Sequence, residues 1–107
     1  MSLVIVFVDD EEDLCEIYED LFEDDGLKIH TFTSTNDAIE FMNKNTVDFS
    51  FIDFRMPQMT GPELRTKIPI TIKCFLLTGE LDIKKMDGFV AIINKPISLE
   101  TFQHSIK

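Results

Sequence analysis

No lysine or arginine occurs in residues 1–25, although eleven acids fall between Asp9 and Asp25. The whole chain carries a net charge of −10, and this one-sided balance repels phosphate backbones and argues against direct nucleic-acid binding. Most of those acids read as the solvated face of a helix. No apolar run approaches the roughly 20 residues of a membrane span, and no basic, apolar, small-residue leader opens the chain. Cysteine is scarce: Cys15 and Cys74 sit inside apolar patterns without metal-ligand spacing. They read as reduced core residues of a cytoplasmic protein. Repeats, low-complexity tracts and linkers are missing too, so residues 1–107 read as one small domain.

What is present is mostly core. A hydrophobic fraction of 44% with ten Phe fits a packed globule rather than a disordered chain. Leu3 to Val8 is a β-branched and aromatic run, the pattern of a strand buried on both faces. The acids from Asp9 to Asp13 favour a helix N-terminus, and Leu14, Ile17, Tyr18, Leu21 and Phe22 follow at helical spacing as far as Gly26. Leu27 to Phe32 reads as a second strand. Ser34 or Thr35 can cap a helix whose inner face is Ala38, Phe41 and Met42.

Val47 to Phe54 reads as the third strand. Gly61-Pro62-Glu63-Leu64 starts a brief helix, because Pro69 disfavours helical geometry at Ile68. Ile72 to Leu77 reads as a fourth strand ending in Thr78-Gly79, and residues 80–86 have room for one or two helical turns. Phe89 to Ile93 reads as a fifth strand closed by Asn94-Lys95-Pro96. Ser98 caps a last helix with Leu99, Phe102 and Ile106 on one face.

Strands alternating with helices imply a parallel sheet covered on both sides, whose ligands gather beyond the carboxyl ends of the strands. Asp9 and Asp10, Asp53, Thr78 and Lys95 stand at those ends. Three carboxylates brought together repel one another, and a hard divalent cation such as Mg²⁺ removes that conflict. Asp10 and Asp53 are the expected direct ligands, with Asp9 acting through water or orienting the site and the Arg55 carbonyl as a third protein ligand. Lys95 adds a compact positive charge and Thr78 a hydroxyl. Together these groups can hold a phosphoryl group, and an Asp carboxylate can be the nucleophile that accepts one.

In order and in register, Val8-Asp9-Asp10-Glu11, Asp53-Phe54-Arg55-Met56-Pro57 with Gly61, Leu77-Thr78-Gly79 and Lys95-Pro96 span nearly the whole chain. This set resembles the receiver domain of two-component response regulators. The resemblance implies a flavodoxin-like (βα)5 three-layer sandwich with strand order 2-1-3-4-5. It implies phosphorylation of Asp53, with Mg²⁺ held by Asp9, Asp10 and Asp53, by transfer from a sensor histidine kinase or a histidine phosphotransfer protein. Thr78 would hydrogen-bond the phosphoryl group and Lys95 would pair with it. The Lys95-Pro96 bond resembles the family's cis peptide. The output protein or domain is not named by any residue.

The chain also departs from the family. Ile92 stands where a switch Tyr or Phe is usual, three residues before the lysine. Lys95 lies only 17 positions after Thr78, so the family's helix 4 is expected to be shortened or missing, and the face it shares with strand 5 and the last helix is expected not to serve output in the ordinary way. Arg55 and Glu80 lie two residues beyond Asp53 and Thr78, where a pair between them would cover the path of an attacking water. Two other readings stay open. A degenerate receiver would act by constitutive protein contacts. A small Mg²⁺-dependent phosphohydrolase would use Asp53 as nucleophile, but Arg55 occupies the place of its usual second acid.

Overall fold

In the computed structural model, which describes residues 2–107 and leaves Met1 outside the description, the apolar runs become five parallel strands. They are β1 (Leu3–Val8), β2 (Leu27–Phe32), β3 (Phe49–Asp53), β4 (Lys73–Thr78) and β5 (Ala91–Asn94), in the order β2-β1-β3-β4-β5. Every residue of β3 is buried, as a central strand covered on both faces requires. Four helices complete the chain: α1 (Glu12–Leu21), α2 (Thr35–Lys44), α3 (Gly61–Arg65) and α4 (Leu99–Ser105).

Alternating side chains divide the core in two. On one face Ile5, Phe7, Phe51 and Leu77 pack with Tyr18 and Phe22 of α1 and Phe102 of α4. On the other, Val6, Val8, Ile52 and Cys74 pack with Ala38 and Met42 of α2 and Leu64 of α3. The result is the three-layer sandwich. Both cysteines are buried and free, and none of the described helices is long and apolar enough to cross a membrane.

Local chemistry accounts for most boundaries. Ser34, rather than Thr35, caps α2 by accepting from the Asp37 N–H. Thr60 and Glu63 form a reciprocal capping box at α3, with Pro62 in the first turn. A Cβ at Gly61 would lie 2.7 Å from the Asp53 carbonyl oxygen, so this glycine lets α3 approach the end of β3. Helix α1 differs from its sequence stripe. It turns Cys15, Tyr18 and Phe22 inward and leaves Ile17 and Leu21 half exposed. Two overlapping apolar stripes compete on this helix, and the one holding the large rings faces the sheet.

The segment between β4 and β5 holds turns and no helix. Residues 80–86, with room for one or two helical turns at most, form none, because a run this short is costly to nucleate without caps or an apolar face. The helix missing here is the family's fourth, as anticipated. β5 starts at Ala91 rather than Phe89, and Phe89 instead packs against the core face of α2 and α3. One side chain pins the segment. Arg65 donates to the carbonyls of Gly88 (2.8 Å), Pro69 (3.2 Å), Ile70 (3.2 Å) and Ile72 (3.4 Å).

Candidate functional site

Register brings the polar strand ends to one edge of the sheet. Val8 pairs with Ile52, Asp53 with Leu77 and Thr78 with Asn94. Asp9 and Lys95 each extend a ladder by one residue, through Asp9 N–H to Phe32 O (3.0 Å) and Lys95 N–H to Thr78 O (2.8 Å). Asp9, Asp53 and Thr78 are buried, whereas Asp10 is exposed. Oxygens of Asp9, Asp10 and Asp53 lie within 4.8 Å of one another.

Lys95 joins two of these carboxylates. Its Nζ stands 3.0 Å from Asp9 Oδ2 and 3.3 Å from Asp53 Oδ1, with Glu11 Oε2 at 4.0 Å. The Lys95–Pro96 peptide is cis. Burial first, and the charge of Asp9 second, push the Asp53 carboxyl up to about 6, against the opposing pull of Lys95. Burial works to lower the lysine, but Asp9 and Asp53 outweigh it and raise it. Lys95 therefore stays an ammonium, and the acids still outnumber the one cation among them.

Thr78 Oγ1 accepts from the Glu80 N–H at 3.0 Å, so its own proton remains available to another oxygen. Arg55 forms an ion pair with Glu80 at the surface and lies over the Phe54 ring, 4.8 Å from its centroid. Arg55 and Glu80, which the sequence left free to pair or to stay apart, therefore meet. The Arg55 backbone bridges to Thr60 across the turn after β3.

Two contributors escaped sequence reasoning. The Glu11 N–H donates to Asp9 Oδ1 at 3.0 Å, and the Tyr18 hydroxyl lies 3.3 Å from Asp9 Oδ2. Burial first, and Asp9 second, raise the Tyr18 pKa, so its phenol keeps its proton and can only donate here. Glu11 acts through its backbone, which no residue pattern reveals. Tyr18 was indistinguishable from its apolar neighbours on α1, although it is the single tyrosine of the chain.

The chain as a whole is similar to known proteins. The curated polar-differentiation response regulator DivK of Brucella ovis is 26% identical over 117 residues, covering all of this chain and 95% of that protein. Response regulator SaeR of Staphylococcus aureus is 35% identical over 60 residues, covering 56% of this chain and 26% of that protein. Among solved structures, a CheY-like receiver domain from Methylobacillus flagellatus superposes with a TM-score of 0.85 at 22% identity, with full coverage of both chains. Response regulator TrrA of Thermotoga maritima, solved in complex with Mg²⁺-BeF, superposes at 0.84 with 20% identity, covering 97% of this chain and 96% of that one. The response regulator receiver domain family matches residues 5–107, and the chain belongs to that family.

Proposed function

We propose that residues 1–107 act as one phosphoacceptor module in which Asp53 takes a phosphoryl group from a phosphohistidine. The donor is a sensor histidine kinase or a histidine phosphotransfer protein. The observation that carries this reading is Lys95 held between Asp9 and Asp53 at 3.0 and 3.3 Å, with Thr78 buried at the end of the adjoining strand. In the step, an Asp53 oxygen attacks phosphorus, the phosphorus–imidazole bond breaks, and an acyl phosphate forms on Asp53. Thr78 donates its proton to a phosphoryl oxygen, and Lys95 turns part of its charge from the carboxylates to the incoming group.

The residues fit Mg²⁺. The donor set is oxygen only, and after burial the charge of Asp9 is the next cause that raises Asp53. Asp10 and Asp53 would hold the ion directly, Asp9 through water or by orienting the others, and the Arg55 carbonyl would complete the protein ligands. When bound, Mg²⁺ supplies positive charge against the carboxylates and the transferring group. The acidic surface around α1 supports the expectation that this module does not bind nucleic acid. A cytoplasmic location accords with such chemistry.

Incubation with Mg²⁺ and a small acyl-phosphate donor, followed by intact mass, tests this reading. One acid-labile phosphate in wild type and none in Asp53→Asn is the expected result. No adduct in wild type favours the degenerate receiver that works by constitutive contacts, the second reading, which the missing helix before β5 and Ile92 motivate. Turnover of unrelated phosphate esters would instead indicate a hydrolase.

A further inference from the structure

The Tyr18 phenol lies where α1 meets the acidic site, and the site chemistry described so far leaves it without a role. It is 3% exposed, its ring stacked on Phe7 at 4.5 Å and beside Phe22 at 5.9 Å. Fixed by those rings, its hydroxyl lies beside Asp9 Oδ2, the oxygen that Lys95 also contacts. Asp9 is fully buried, and a buried carboxylate oxygen that loses its partner is strongly penalised.

We propose that Tyr18 is a positioning residue of the phosphoacceptor site, holding Asp9 Oδ2 so that Lys95 can leave it for a phosphoryl oxygen. This rests on the reading of Asp53 as phosphoacceptor. The demand on Lys95 is double: at rest it serves Asp9 and Asp53 at once, and during transfer it serves the incoming group. Glu11 already occupies the other oxygen of Asp9 through its backbone N–H. Tyr18 is therefore the donor left to Oδ2 among the described residues when Lys95 moves. Its contact of 3.3 Å is longer than a usual hydroxyl–carboxylate bond and has room to close. The aromatic stack keeps the ring from swinging away, so the donor stays aimed at the carboxylate. Oriented carboxylates also bind metal better, and losing such a support typically costs about tenfold in affinity.

Tyr18→Phe keeps the ring and removes the donor. Phe22→Leu loosens the same stack and keeps the donor. Mg²⁺ affinity of both whole-chain variants is read from amide chemical shifts. The sole tyrosine also gives wild type an uncluttered fluorescence signal. The expected results are a Mg²⁺ Kd weakened about tenfold in Tyr18→Phe and by a clearly smaller factor in Phe22→Leu, which keeps the donor but aims it less firmly, with Phe22→Leu the less thermally stable of the two. Tyrosine fluorescence of wild type should respond to Mg²⁺, and phosphorylation of Tyr18→Phe should be slower even at saturating Mg²⁺. Equal Mg²⁺ affinity in wild type and Tyr18→Phe, or a tyrosine signal unmoved by Mg²⁺, overturns the proposal. These Mg²⁺ measurements need no phosphorylation, so a wild type that forms no adduct overturns the phosphoacceptor reading while the role of Tyr18 toward Asp9 is still decided.

Discussion

Two stretches on neighbouring parts of the molecule are held together by opposite strategies. At the strand ends, Asp9, Asp53, Thr78 and Lys95 converge from four strands, and each is fixed by the ladder that delivers it. Between β4 and β5, residues 79–90 have neither helix nor strand, and the guanidinium of Arg65 ties the Gly88 carbonyl to those of Pro69, Ile70 and Ile72 in the turn before β4. The first region carries stress, because buried acids are crowded together. The second carries little stress and little packing, with Leu81 and Val90 largely exposed. A receiver can thus keep the acidic cluster at its strand ends while losing the element usually beside it, because sheet register and not helix packing brings those groups together.

The sharpest way to test the contrast is to relieve the stress at the strand ends. Asp53 is raised from 3.8 to about 6 in the fold, so its ionised form is disfavoured relative to the unfolded chain. That penalty is full above pH 6, shrinks as pH falls, and vanishes below the ordinary carboxylate range near 4. Without Mg²⁺, Asp53→Asn should be more stable than wild type at pH 7.5, by on the order of 2 kcal/mol, and the gap should close near pH 4. Paired thermal melts across pH check this, and a gap that is constant with pH would break the comparison. Mg²⁺ should narrow the gap at pH 7.5 by stabilising wild type alone.

Removal of the strut is the matching perturbation of the other region. Arg65→Ala should cost about 2 kcal/mol, the scale of a charged group lost from partly buried carbonyls. Amide exchange should rise at Phe89 and Val90 while Asp53 remains phosphorylatable. Loss of phosphorylation with the fold intact would show that the two regions are not separable. Gly88→Ala should cost about 1 kcal/mol, since Gly88 has φ +88° and an added Cβ would stand 3.1 Å from Arg65 Cγ. Chemical denaturation reads both.

The smallest effect is expected where the regions touch. Arg55, two residues beyond Asp53, and Glu80, two beyond Thr78, pair at the surface. Exposed pairs contribute little to stability, so Arg55→Ala should melt with wild type. If the pair screens the acyl phosphate from water, the variant should lose its phosphate somewhat faster, as followed by acid-labile phosphate over time. Equal lifetimes would reduce the pair to two solvated side chains.

Much of this was legible because it depends on local order. The uninterrupted apolar run of Leu3–Val8, the Ser98 cap and the Pro69 stop announce their elements through short-range sterics and hydrogen bonding. Asp9, Asp53, Thr78 and Lys95 each follow a strand, so a parallel sheet alone carries them to one edge. Of the α1 stripe, Leu14, Tyr18 and Phe22 face the core while Ile17 and Leu21 do not, because helical spacing alone does not rank Cys15 above them. The competition between those faces is settled by which rings the sheet below accommodates, Phe7 and Phe102 being stacked with Tyr18 and Phe22.

By itself, then, the order of residues determined the strands, the parallel arrangement and the identity of the groups at the strand ends, since periodicity and end chemistry are properties of the chain. Only the tertiary structure decided that Lys95 joins Asp9 to Asp53, that Tyr18 shares an oxygen with that lysine, and that Arg65 ties Gly88 of the segment without a helix to the turn before β4. Those contacts join residues distant in the chain, and their energies depend on burial and on competing donors, neither of which exists until the sheet has closed.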